Sequence, residues 1–204
     1  MHITKSPALL RTLTHKNLTW EINNRPGEIF LTFDDGPIPG ITPEVLSILD
    51  KYKARATFFC VGDNAAKHHD VYRQIQQAGH ATGNHTFHHL NGWKTTAEAY
   101  VEDVALCSRV IQSSLFRPPY GRIRPSVIQQ LKKEYRIVMW SVLTGDYDRN
   151  LQPEKVLRNA IENTTSGSIV VFHDSLKAAD NMLYALPRFL DYFSEKACRF
   201  SVIE

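Results

Sequence analysis

Short β-rich runs alternate with helix-patterned segments along almost the whole chain, and few architectures tolerate that order. The runs fall at 29–33, 56–60, 81–84, 115–116, 136–140, 169–172 and 199–202, which gives about seven strands. Strands that alternate with helices call for a parallel sheet with helices outside it, either closed as a barrel or open and doubly wound. A further run at 18–22 turns through Asn23, Asn24, Pro26 and Gly27 into the first strand, the pattern of a hairpin. Between the runs stand helix signals: Thr42 as N-cap with Pro43 in the first turn, Gly79 as a stop, and Thr95 with Glu98 as a capping box. The spacing of Tyr100, Val104, Cys107 and Ile111 is one face of a helix, as is that of Leu183, Leu186, Leu190 and Phe193. Pro187 should kink that last helix or begin a new one.

In either parallel-sheet form, chemistry belongs at the carboxyl ends of the strands, where loops present polar groups above a packed core. Five polar clusters fall there. Asp34 and Asp35 follow the first run, His85 follows 81–84, Arg117 follows 115–116, residues 141–148 follow the strand ending at Trp140, and His173 with Asp174 follows 169–172. Scattered surface residues would not sort to one end of five strands.

Composition narrows the class further. The 204 residues are 43% hydrophobic and 22% charged, show no repeat or linker, and read as one domain spanning 1–204. A net charge of +3 is too close to balance to suggest a nucleic-acid partner. No apolar run is long enough for a membrane span, and the start offers only Ala8, Leu9 and Leu10 where a signal peptide needs more, so the chain reads as soluble and cytoplasmic. Cys60, Cys107 and Cys198 are odd in number and far apart, which fits small buried hydrophobes rather than a disulfide frame or a zinc ribbon.

Taken singly, Asp34-Asp35-Gly36-Pro37 is as well explained by a polar turn as by a site. Neighbouring strand residues point in opposite directions, however, so a bend there lets the two carboxylates take separate duties. His85 and His89, four apart, can grip one ion, and with one carboxylate they leave coordination positions open for water and substrate. His88 flanks them with poorer spacing, and His2, His15, His68, His69 and His80 read as ordinary surface or core residues. The zinc-peptidase pattern is absent, since Thr86 stands where its glutamate belongs. Phe87 and Trp93 sit near these histidines, where packing explains an aromatic as well as sugar stacking does.

The ordered segments TFDDGP, HTFHH, RPPYG, the Trp140 strand leading to Asp146-Tyr147, and VFHD resemble the five motifs of the NodB-homology polysaccharide deacetylases, carbohydrate esterase family 4, over roughly 28–175. The resemblance implies a distorted (β/α) barrel with fewer than eight strands. It implies a divalent metal held by Asp35, His85 and His89, zinc first, with cobalt, nickel or manganese also suited to such ligands. Asp34 becomes the catalytic base, His173 the acid that protonates the departing amine, and the main-chain N–H of Tyr120 a donor to the oxyanion. Arg117 would keep Asp34 ionised and oriented, and Asp146 would hold His173. Tyr147, Val171 and Pro119 are expected to shape the acetyl pocket.

The sequence departs from the family pattern at Leu90, Leu143 and Tyr147, each altering a wall rather than a reacting group. The implied partner is a carbohydrate, such as peptidoglycan, a chitin-like oligomer or a surface glycan, losing N-acetyl groups. The same machinery could serve another amide or ester, and a glycan-binding relative without catalysis would lack one of the reacting groups, all of which are present. Oligomeric state is not encoded legibly.

Overall fold

The computed structural model describes Thr4, Thr14 and residues 16–204, so Ala8 to Leu10, His2 and His15 lie outside the described residues. Strands β1 (Glu28–Asp34) and β2 (Ala56–Cys60) are buried at every position, as continuous apolar strands covered on both faces must be. With β3 (Ala81–Asn84), β4 (Leu115–Phe116), β5 (Arg136–Ile137), β6 (Val142–Leu143) and β7 (Ile169–His173) they form a parallel path ordered β5-β4-β3-β2-β1-β7-β6. A last short strand, β8 (Arg199–Phe200), pairs with the start of β1. The seven strands of the path curl into a half-barrel carrying helices, the distorted (β/α) barrel expected from the sequence.

The helices are α1 (Ile41–Lys51), α2 (Gly62–Lys67), α3 (His69–Gln77), α4 (Ala97–Ser108), α5 (Pro125–Leu131), α6 (Pro153–Asn163) and α7 (Ala179–Ser194). Alternate strand residues serve two cores. Leu31, Phe33, Phe58, Val170 and Phe172 pack with helix residues such as Val45, Leu49, Leu186 and Phe189, whereas Phe30, Phe59, Leu115, Val138 and Ile169 cluster together as the barrel interior. The stripe Tyr100, Val104, Cys107 and Ile111 is buried throughout. The three cysteines are free, and Cys60 and Cys107 are buried.

Several local expectations are corrected. Residues 18–22 do not fold back on β1: Thr19 bridges Val138 in parallel and Glu21 bridges Ser168 antiparallel. The segment thus spans the gap between the β5 side and the β7 side of the open sheet, with Leu18 and Trp20 buried. The run 136–140 is strand only at β5, and β6 is a separate two-residue strand paired with β7. Thr42 lies inside α1, and its hydroxyl donates to Asp174 while accepting from the Ile38 N–H. The α4 cap falls one residue later, on Thr96, whose hydroxyl accepts from the Ala99 N–H, while Thr95 donates to the Asn91 carbonyl. Pro187 does not break α7, which continues to Ser194.

Candidate active site

Strand register brings the polar clusters together. In the parallel ladder Asp34 lies opposite His173 on one side and Phe59 on the other, and Asn84 lies opposite Phe116. The residues that follow, Asp35, His85 and Arg117, therefore leave the sheet at similar heights around one opening.

At Asp35 the chain leaves the strand with φ of 82°, a left-handed conformation rare for a residue with a side chain. This bend separates the two carboxylates. Asp34 stays buried and accepts from Arg117 Nη1 at 2.7 Å. The Arg117 guanidinium is itself fully buried. It donates to Thr32 Oγ1 at 2.8 Å, Val138 O at 3.2 Å and Met139 O at 2.9 Å, and lies 4.1 Å above the Phe59 ring. A buried ion pair needs such extensive pairing of its donors, because removing both charges from water is expensive.

Asp35 turns instead toward the histidines. Its Oδ1 lies 3.1 Å from His89 Nε2 and 3.8 Å from His85 Nε2, and one ligand atom from each of the three residues falls within 4.8 Å of the others. The other ring nitrogen of His85, Nδ1, donates to the Arg117 carbonyl at 2.7 Å, which fixes the tautomer and turns Nε2 into the site. Burial raises the Asp35 pKa, but the hydrogen bond from His89 and the positive charge of the surrounding histidines outweigh it and hold the carboxyl well below its usual range. Burial pushes the His85 pKa down to about 4, so the imidazole is a neutral donor at pH 7. A carboxylate with two imidazoles is a donor set that suits zinc and its divalent neighbours.

His173 occupies the far side of the triad. Its Nδ1 is 2.7 Å from Asp146 Oδ1, and its main-chain N–H donates to Asp146 Oδ2 at 2.7 Å, so the fully buried carboxylate grips both ring and backbone. Burial opposes the charged ring, but Asp146, with help from Asp35 and Asp34, prevails and raises the His173 pKa to about 9. Below it, Asp174 accepts from the Gly36 N–H at 3.0 Å and from Thr42 Oγ1 at 2.6 Å, tying the Asp34–Asp35 bend to α1. A Cβ at Gly36 would come 2.0 Å from Asp174 Oδ2, so only glycine fits there. Burial pushes the Asp174 pKa up to about 8.

These groups line a cleft of about 440 Å³. Asp34, Asp35, His85, His89, Tyr120, Tyr147, Val171 and His173 all face it, while Arg117 and Asp146 stand behind Asp34 and His173. Tyr120, at φ of 60°, sets its exposed ring against His89 with centroids 4.7 Å apart. Pro119 corrects an expectation: it is buried in the short 3-10 turn Pro119–Gly121 and is not among the lining residues. His88 is drawn away from the triad by Asp103, at 2.6 Å. Phe87 packs against the main core. The cleft also includes Arg122, Trp140, Leu143 and Lys177; of these Trp140 carried a sequence signal as part of the fourth motif and Leu143 as a departure from the family pattern, whereas Arg122 and Lys177 carried none.

A parallel half-barrel with a carboxylate–imidazole triad and an arginine-bound second carboxylate at its carboxyl end defines a hydrolase of the deacetylase class. The polysaccharide deacetylase family model matches residues 21–137. A peptidoglycan-N-acetylglucosamine deacetylase of Bacillus cereus is 34% identical over 193 residues, covering 91% of each chain. A chitooligosaccharide deacetylase of Azorhizobium caulinodans is 34% identical over 161 residues, 75% of this chain and 76% of its own. The crystal structure of a peptidoglycan N-acetylglucosamine deacetylase with a bound N-hydroxybenzamide compound superposes with a TM-score of 0.85, at 27% identity and 94% coverage of both chains. The chain belongs to the polysaccharide deacetylases, carbohydrate esterase family 4. Among the described residues no helix is long and apolar enough to cross a membrane.

Proposed function

We propose that this protein hydrolyses the N-acetyl groups of N-acetylated sugars in a poly- or oligosaccharide, with Asp34 as base and His173 as acid. The observation that carries the reading is the pairing of Asp34 and His173 side by side on β1 and β7, with Asp35, His85 and His89 at the same opening. Asp35, His85 and His89 are the residues that would hold a divalent cation. When bound, such a cation polarises an acyl carbonyl and makes water a stronger acid.

The rest follows from the chain's own groups. Arg117 fixes Asp34 through Oδ1, leaving the second carboxylate oxygen to take a proton from the water that attacks the acetamide carbon. The developing oxyanion accepts a hydrogen bond from the Tyr120 main-chain N–H, a contribution that side-chain substitution at Tyr120 leaves in place. As the C–N bond breaks, His173 donates its Nε2 proton to the departing amine, and Asp146 on Nδ1 keeps the ring charged and oriented until then. Water adds as hydroxide to the acyl carbon and as a proton to nitrogen, giving acetate and a free amino sugar. Tyr147 and Val171 are the walls for the acetyl methyl.

The test is product analysis of the zinc-loaded protein on N-acetylglucosamine tetramers and on O-acetylated xylan. Equal amounts of acetate and new primary amine from the tetramer support the reading. Acetate from xylan alone would redirect the same machinery to esters.

A further inference from the structure

The chain after β4 carries Arg117 and Arg124, both already committed, and two further cations line the cleft. Arg117 is buried on Asp34, and Arg124 donates to the Gly92 and Trp93 carbonyls at 3.1 and 3.0 Å. The other two, Arg122 and Lys177, are exposed, line the cleft, and among the described residues have no carboxylate within 4 Å. They come from the loops after β4 and β7, which lie on opposite sides of β1 in the sheet order and so on opposite sides of Asp34 and Asp35. Each is placed over an aromatic ring: Arg122 lies 5.0 Å from the Trp93 centroid and Lys177 5.6 Å from that of Tyr147. Cation–π contact of this kind orders a long side chain without neutralising it. The acidic groups of the cleft do not consume these charges, since Asp34 is paired with Arg117 and Asp35 with the histidines.

Resting on the deacetylase reading above, we infer that Arg122 and Lys177 select for an acidic glycan, one in which sugars flanking the deacetylated residue carry carboxylates. A neutral chitin-like oligomer offers nothing ionic to either group. A chain bearing a carboxylate on the neighbouring sugar at each side would meet one cation at each end of the cleft, with Trp93 and Tyr147 as the apolar faces beside them.

The test uses the Asp34→Asn variant, which should bind without turnover, and two tetrasaccharides: N-acetylglucosamine throughout, or N-acetylglucosamine alternating with a uronic acid. The acidic oligomer should bind about tenfold tighter in 50 mM salt, a preference that shrinks in 500 mM salt as the Debye length falls well below 10 Å. Adding Arg122→Gln or Lys177→Gln should cut the preference about two- to fivefold each, the range for exposed ion pairs. Arg122→Lys and Lys177→Arg, which keep the charge, should retain most of it. Equal affinity for both oligomers, a preference that survives both glutamine substitutions, or binding of neither oligomer would overturn the inference. If the acidic preference holds but wild-type protein releases acetate from neither oligomer, the deacetylase reading fails and the acidic-glycan site stands.

Discussion

At the residue scale, the site is a set of partially charged groups whose neighbours decide what each can do. Arg117→Met should show this first. It leaves Asp34 buried without its partner, a situation that typically costs about 3–5 kcal/mol, so thermal unfolding should move down by many degrees as well as activity falling. Asp146→Asn isolates the acid. Asp146 is the main reason that the His173 pKa reaches about 9, so its loss lowers that value toward the ordinary 6.5, and the alkaline limb of the kcat profile should move to lower pH. The sign for stability agrees: a raised folded-state pKa makes the His173–Asp146 contribution complete below about 6.5 and lost as pH rises through about 9. An unmoved alkaline limb would remove Asp146 from the role. The reacting groups could be read from the sequence because each stands beside a turn or strand end in a recognisable motif. Arg122 and Lys177 could not, since an exposed cation in a loop carries no pattern until the fold sets it on the cleft.

At the scale of elements, the bend at Asp34–Asp35 is the joint on which the site depends, and its support comes from far along the chain. Asp174 holds the Gly36 N–H and the Thr42 hydroxyl, so β1, α1 and the end of β7 meet at one carboxyl group. Gly36→Ala should drive a Cβ into Asp174 and displace Asp35. The expected result is a drop of about ten- to a hundredfold in zinc affinity, the usual size for a disturbed outer contact, measured by competition with a chelator. Zinc affinity unchanged would show the bend to be less constrained than the contact at 2.0 Å requires. This same joint explains why Thr42 read as a cap: Thr followed by Pro is a helix-start signal, but the hydroxyl was taken by a distant aspartate. The shift from Thr95 to Thr96 in α4 is of the ordinary kind, two adjacent threonines offering equivalent caps. Strand β6 escaped notice because no glycine or proline separates Val142–Leu143 from the run at 136–140.

For the whole molecule, the alternating runs were enough to foresee a parallel sheet, while its curl into a half-barrel came from resemblance to a family. How the open side is dressed was not legible, because an apolar run declares itself as extended but does not name its partner. Residues 18–22 bridge Val138 and Ser168, with Trp20 buried among Tyr100, Val127 and Met139 in one cluster. Trp20→Ala should therefore cost about 3–5 kcal/mol, read by denaturant melts, while leaving the ligand residues in place. The proposed reaction rests on one linkage, between the triad at the cleft and the base beside it. The measurement that bears on it most directly is acetate release from N-acetylglucosamine oligomers by metal-stripped protein, before and after adding zinc, cobalt, nickel or manganese, for wild type and Asp34→Asn with bound metal quantified in both. Restored turnover in wild type, with Asp34→Asn taking up equal metal but losing about a hundredfold or more in kcat, is the expected result. Full activity in Asp34→Asn, or undiminished turnover in stripped protein, would contradict it.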